Sequence, residues 1–374
     1  MGKRGAGEGT IYQRPDGRWT AQLRLDYGVR KTLYGRTRAE VQTKLRQLRR
    51  DREDGVAVGV PSITVAAYLA RWLDEAARLK VRPSTLESYT LNARRLAPLI
   101  GRIKLSQLTP QVIQGAYARL LAQGLAPRSV RQAHVVLHGA LGQAMRWGMV
   151  GRNAADGVIV PRPEPREMET LTIDELQRLF EVTKDEPLRS LWILLSTTGL
   201  REGEALGLRW DDVDLARGTL VVRRAVQRQG TAGWVVIDPK TPRSRRTIHL
   251  SRLAVEALRA RKTHQRELRL AAGRRWQDTW GDLVFSSLTG RPLQPSWVSV
   301  AFRRDLEKAG IRRVRVHDLR HTAATLLLTR GVHPKVVQDM LGHSTVTLTL
   351  DTYSHVTPAL HKEAADHMDA LLGK

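Results

Sequence analysis

A chain of 374 residues exceeds what one compact core holds and predicts three domains, given domain sizes of roughly 100 to 200 residues. Its 62 lysines and arginines against 37 acidic residues leave a net charge of +25. The expected partner is therefore a polyanion whose phosphates those cations neutralise, bound with a strong salt dependence. Cysteine is absent, which excludes disulfides, thiolate zinc sites and cysteine nucleophiles. No apolar run of about 18 residues occurs, and no apolar stretch follows Met1, Gly2, Lys3 and Arg4, so a cytoplasmic protein without a membrane partner is expected.

Residues 10–34 predict three short strands, because Trp19, Ala21, Leu23 and Leu25 alternate with Arg18, Thr20, Gln22 and Arg24, and Pro15-Asp16-Gly17 supplies a turn. A helix over about residues 38–52 completes a small sheet-plus-helix unit. Residues 54–62 read as a linker with three glycine or proline interruptions. From Thr64 to about Trp147 the periodicity is helical and predicts four helices, with Ser84 and Glu87 as a capping box and Thr109-Pro110 as N-cap and first helical residue. A second, proline-rich linker covers residues 160–165.

Beyond that linker the pattern is mixed. Thr172 and Glu175 form another capping box, residues 188–198 and 202–208 predict helices, residues 219–226, 234–238 and 247–250 predict strands, and helices resume after Ser251. The fold class is multi-domain α+β: a three-stranded sheet plus helix in residues 1–58, an all-α bundle in 59–158, and a mixed, mainly helical domain with a small antiparallel sheet in 165–374.

Three clusters in the last half carry chemistry: Thr198-Gly199-Leu200-Arg201-Glu202-Gly203-Glu204, then His317-Asp318-Leu319-Arg320-His321, then Leu341-Gly342-His343-Ser344, with Tyr353 ten residues after His343. Two guanidinium forks with imidazole donors suit the charge that phosphoryl transfer spreads over the non-bridging oxygens. A phenol, with an unperturbed pKa near 10, becomes a nucleophile only by losing its proton during attack, aided by neighbouring cations or a base; His317 is the candidate base. No phosphate-binding GxxxxGK[ST] loop is present, and the reaction is expected to need no nucleotide.

The ordered clusters, and the spacing from Arg320 to Tyr353, resemble those of the tyrosine recombinases of the phage-integrase family over essentially residues 165–357. The resemblance implies that Arg201 and Arg320 clamp the scissile phosphate, that His317 and His343 complete its ring of donors, and that Tyr353 is the nucleophile. It further implies that Lys240, in the turn between two predicted strands, protonates the leaving 5′ oxygen, with Arg243 the neighbouring cation most readily mistaken for it. Glu204 matches the acidic position that supports the site from behind.

By the same resemblance residues 64–155 are a core-binding domain. The N-terminal sheet resembles an arm-binding domain that lays a face in a major groove, with Arg18, Gln22 and Arg24 as its candidate contacts. The expected partners are double-stranded DNA at core and arm sites, three further copies of the chain in a tetramer on DNA, and an excisionase or DNA-bending protein; neither metal nor other cofactor is expected.

Several readings compete. Asp211-Asp212-Val213-Asp214 is the nearest carboxylate cluster for a two-metal site but reads as a polar turn, and His317 with His321 lack a third zinc ligand at a recognised spacing. Residues 345–350 alternate as a strand would, against the helix that the resemblance implies. In the last predicted helix, residues 358–372, Leu360, Ala364, Met368 and Leu371 form a stripe that needs a partner surface. A chromosome-dimer resolvase or a type IB topoisomerase would not need the N-terminal sheet. A DNA-binding regulator on a dead scaffold would have no physical need for Arg201, Lys240, His317, Arg320, His343 and Tyr353 together.

Overall fold

The computed structural model describes residues 10–24, 30–53, 62–164, 168–229, 233–237, 245–342, 366 and 368–373, and divides the chain into two units, residues 1–165 and 166–374. Gly17, at φ +80°, takes the backbone through the turn that joins β1 (Thr10–Gln13) to β2 (Trp19–Arg24). β2 is the central strand of an antiparallel sheet in the order β1-β2-β3, with β3 spanning Arg30–Gly35. The expected alternation holds on the inner face, where Ala21 and Leu23 bury against Val41, Leu45 and Leu48 of α1 (Arg38–Glu53). It fails at Thr20, which is buried on the other face, between its cross-strand neighbours Tyr12 and Tyr34.

The four helices expected over residues 64–147 are present. α2 (Val65–Trp72), capped by the Thr64 hydroxyl, runs on through a π turn at Leu73–Ala77 to Arg78–Lys80. α3 is Pro83–Ile100, α4 Pro110–Ala122 and α5 Pro127–Arg146. Thr109 Oγ1 accepts from the Val112 amide at 3.3 Å, so the expected N-cap is present. The Ser84–Glu87 capping box is not: Pro83 takes the first helical position and Arg82 the cap, because proline's fixed φ and missing N–H suit that position. The bundle has its own core around Tyr68, Leu96, Ile113, Tyr117 and Leu137, separate from that under the sheet.

In the second unit the Thr172–Glu175 box opens α6 (Ile173–Val182) with both reciprocal bonds in place. α7 (Arg189–Thr198) is buried almost all round, the hydroxyls of Ser196, Thr197 and Thr198 donating back to carbonyls of its own preceding turn, and packs against α9 (Arg252–Ala272) and α11 (Asp318–Thr329). Its Trp192 lies 4.8 Å from the Phe302 ring and donates to Asp305 at 2.9 Å, both on α10 (Pro295–Lys308).

The single strand expected over residues 219–226 is two. β5 (Thr219–Val222) pairs with β4 (Val213–Asp214) and β8 (Arg246–His249), whereas β6 (Ala225–Gln229) pairs with β7 (Gly233–Ile237) in a separate two-stranded sheet. The break falls at Arg223-Arg224, whose guanidinium groups both turn to the buried Asp212 carboxylate. Of the expected polar turn at residues 211–214, Asp212 ends a 3-10 turn over Trp210–Asp212 and is held by those ion pairs, while residues 213–214 are β4. Among the described residues no helix is long and apolar enough to cross a membrane.

Candidate active site

Three chain segments far apart in sequence converge on the C-terminal end of α12 (Pro334–Leu341). A helix leaves its last carbonyls without main-chain donors, and its dipole makes that end negative. Here guanidinium groups take up three successive ones. Arg246 Nε donates to the Met340 carbonyl at 2.6 Å, Arg320 Nη2 to Leu341 at 2.7 Å, and Arg201 Nη2 to Gly342 at 3.3 Å. Arg320 also donates through Nη1 to the Gly199 carbonyl at 2.6 Å, which joins the turn before Arg201 to the same helix end.

Two glycines permit this approach. Gly199 (φ +62°) closes α7 in the left-handed region, and a Cβ there would meet Leu341 Cδ2 at 2.4 Å. Gly342 (φ +68°) ends α12, and a Cβ there would meet the Arg246 guanidinium at 3.0 Å.

Arg201 is the N-cap of α8 (Glu202–Leu206). Glu204 accepts from its backbone N–H at 3.0 Å and from its Nη1 at 2.7 Å, so one carboxylate fixes both ends of the residue. Glu204 is itself buried and takes a fork from Arg246, Nη2 at 2.8 Å and Nη1 at 3.2 Å. Burial alone would raise its pKa; the Arg246 fork, followed by Arg201, outweighs that and holds it at about 2. The side chain of Arg201 stays 42 % exposed, whereas Arg320 is 3 % exposed.

His317 precedes α11, one turn before Arg320, and Asp318 fixes the turn that presents it. The buried Asp318 carboxylate accepts from the Arg315 amide and guanidinium, each at 2.7 Å. The His317 side chain is open to solvent on one side, and its ring centroid stands 5.0 Å from that of His321, nearly edge-on. Partial burial, then the charge of Arg320, pushes the His317 pKa below its ordinary value. Burial, then His317, pushes His321 down to about 4. A neutral imidazole beside two guanidinium groups can take a proton as a base.

Arg201, Glu204, His317 and Arg320 thus share one neighbourhood. Lys240, Arg243, His343 and Tyr353 lie outside the described residues, as do residues 345–350 and Leu360 and Ala364 of the expected tail stripe; Met368 and Leu371 of that stripe are exposed.

On the N-terminal sheet, Gln22 is half-buried and donates to the Tyr12 hydroxyl at 3.2 Å, and Arg18 is exposed beside the turn. Arg24 ends β2, and its side chain is not described. The outward face also carries the exposed Tyr12 and Tyr34, which sequence patterning did not single out. Patterning also missed Arg246. The available signal was strand periodicity: Arg246 and Ile248 both face inward on β8, and a cation at an inward strand position must have a buried partner.

The phage integrase family model matches residues 169–359, and that of the phage integrase N-terminal SAM-like domain matches residues 64–121. A tyrosine recombinase XerC-like protein of Caldanaerobacter subterraneus is 29 % identical over 361 residues, 92 % of each chain. An integrase of Streptomyces ambofaciens is 30 % identical over 390 residues, covering 99 % of this chain and 97 % of its own.

Among solved structures, the Tn1549 transposon integrase in complex with transposon right end DNA superposes with a TM-score of 0.70 at 21 % identity, over 81 % of this chain and all of that one. The lambda integrase tetramer bound to a Holliday junction gives 0.57 at 22 %, over 90 % and 96 %. These likenesses establish the fold, and with the family models and the relatives they show that this chain is an enzyme belonging to the phage integrase family, the tyrosine recombinases.

Proposed function

We propose that this recombinase breaks and rejoins DNA strands at specific sites through Tyr353, with Arg201, Lys240, His317, Arg320 and His343 as its catalytic set and Glu204 in support. The Tyr353 oxygen attacks the scissile phosphorus, forming a 3′-phosphotyrosine and breaking the bond to the 5′ oxygen. The phenolic proton passes to His317, and Lys240 supplies one to the departing 5′ oxygen. A 5′ hydroxyl attacking the phosphotyrosine reverses these steps, and because the phosphoester bond is kept throughout, rejoining consumes no nucleotide. Arg201 and Arg320 hold the charge that gathers on the non-bridging oxygens.

The observation that carries this reading is the seating of both guanidinium groups on adjacent carbonyls of one helix end, 2.7 Å from Arg320 and 3.3 Å from Arg201, beside His317. Donors so fixed need no reorganisation when charge develops. The DNA complexes and the tetramer of the solved relatives support DNA as substrate and a tetramer on the exchanging duplexes. We divide the chain into an arm-type domain (1–58) that reads DNA through Arg18, Gln22 and Arg24, a core-binding domain (59–158) and a catalytic domain (165–374), working in the cytoplasm with an excisionase or DNA-bending partner, on an element that integrates and excises.

The test is to incubate the full chain, with chelator and without nucleotide, with nicked duplexes tiled across the flanks of its gene. A protein–DNA adduct that survives denaturation is expected, and it should vanish in Tyr353→Phe. No adduct, or one that persists in the variant, would overturn the reading.

A further inference from the structure

We infer that Arg246 is a positioning residue for strand cleavage: from β8 its one guanidinium grips both the Glu204 carboxylate that seats Arg201 and the Met340 carbonyl in the last turn of α12. Nothing in the catalytic set assigned above includes it, and the inference rests on that assignment.

The geometry is that of a strut rather than of a phosphate ligand. Arg246 is 9 % exposed, and its guanidinium is turned inward. Two nitrogens form a fork on Glu204 at 2.8 and 3.2 Å, and Nε donates to the Met340 carbonyl at 2.6 Å. Glu204 in turn bonds the backbone and the guanidinium of Arg201 at 3.0 and 2.7 Å. A displacement of Arg246 therefore moves two things together: the carboxylate that aims Arg201, and the end of α12 that also receives Arg201 and Arg320. The lack of a side chain at Gly342 fits this role, since a Cβ there would press on the Arg246 guanidinium at 3.0 Å. Planarity matters as well as charge, because an ammonium group can satisfy Glu204 but cannot hold a fork and a third acceptor at fixed angles.

The test uses the full chain and the nicked duplex on which the tiling experiment traps an adduct. It measures the rate of adduct formation for wild type, Arg246→Gln, Arg246→Lys and Arg201→Ala, with unfolding temperature recorded alongside. Each protein is assayed on the natural phosphodiester and on a duplex whose scissile phosphate carries a methyl group in place of one non-bridging oxygen. That methyl group removes the negative charge that Arg201 balances, so a defect transmitted through Arg201 shrinks on it.

Arg246→Gln is expected to slow adduct formation about 100-fold on the phosphodiester, the scale of a misplacement near 1 Å, and less than about 10-fold on the methylphosphonate, following the pattern of Arg201→Ala. Arg246→Lys should recover part of the phosphodiester rate. If Arg246→Gln does not fold, the two rates of Arg246→Lys decide. A wild-type rate on the phosphodiester, or an equal loss on both substrates accompanied by a lower unfolding temperature, would overturn the inference. Tyr353→Phe separates the two hypotheses: an adduct in that variant, or none with the wild type, removes the proposed function and this inference with it, whereas its clean loss in Tyr353→Phe beside an unimpaired Arg246→Gln removes this inference alone.

Discussion

The cations of the helical bundle and those at the end of α12 are the same residue type under opposite constraint. In the bundle, Arg71 and Arg78 meet Glu75 and Asp74 one turn away at the surface, their side chains 51 % and 67 % exposed, and Arg128 and Arg131 of α5 stand in solvent. Around α12, Arg246 and Arg320 are buried and tied to main-chain carbonyls. A solvated cation follows a polyanion wherever it lies, and its attraction fades with salt. A buried one stands at a single place, and the reacting group must come to it. Under the proposed function, one population supplies affinity and the other geometry.

The largest effect that would break this contrast is in cleavage. Arg320→Ala removes a fixed donor and strips the Gly199 and Leu341 carbonyls of their partner, so adduct formation should fall by about 10²- to 10³-fold while gel-shift affinity for the duplex changes little. Full cleavage activity in that variant would mean that the seated cations do not act on the phosphate.

Next comes stability against pH, where α8 offers two carboxyl groups of opposite sign. Glu204, held at about 2, stabilises the fold above its ordinary value near 4.5, and that contribution is lost as pH falls towards 2. Glu204→Gln should therefore cost about 3 kcal/mol at pH 7, from the buried Arg246 left without its counter-ion, and the gap to wild type should close in acid. Glu202 is pushed up to about 7 by burial, and its Oε1 is buried without a hydrogen-bond partner among the described residues. Because partial burial disfavours its charged form, ionisation opposes folding increasingly as pH rises from about 4.5 through 7, so Glu202→Gln should gain stability relative to wild type at pH 8 and not at pH 4. Denaturant unfolding at four pH values reads both variants, and parallel curves would refute the assignment.

The smallest effect belongs to the solvated population. Arg128→Ala with Arg131→Ala should leave adduct formation at saturating protein unchanged and flatten the slope of log affinity against log salt by about 0.9 for each phosphate no longer neutralised. A steep loss of cleavage with an unchanged salt slope would place those arginines with the geometric group instead.

Local signals that depend on a few neighbouring residues were legible in the sequence. Thr109 with Pro110 and Thr172 with Glu175 cap helices as read, because a cap involves only the residues it spans. Ser84 with Glu87 misled because Pro83, one residue earlier, sets the helix start. The split at residues 223–224 was invisible to periodicity, which records side-chain alternation but not which strand lies alongside; a buried aspartate eleven or more residues away decides it.

The clusters proposed as catalytic stand out as motifs through the resemblance. The reason that Arg201 and Arg320 sit together does not, because it runs through main-chain carbonyls at residues 341 and 342 and at Gly199, and a carbonyl leaves no mark in sequence. Arg246 was hidden for the related reason that its partner, Glu204, is 42 residues away.

The order in which these parts are synthesised sets a timetable. The bundle of residues 62–164 is complete, with a core of its own, while the carbonyls that Arg246, Arg320 and Arg201 require are still untranslated. Domains fold as they leave the ribosome, from the N-terminus onward. A partly made chain therefore carries a finished bundle and unseated arginines until the ribosome has passed Gly342.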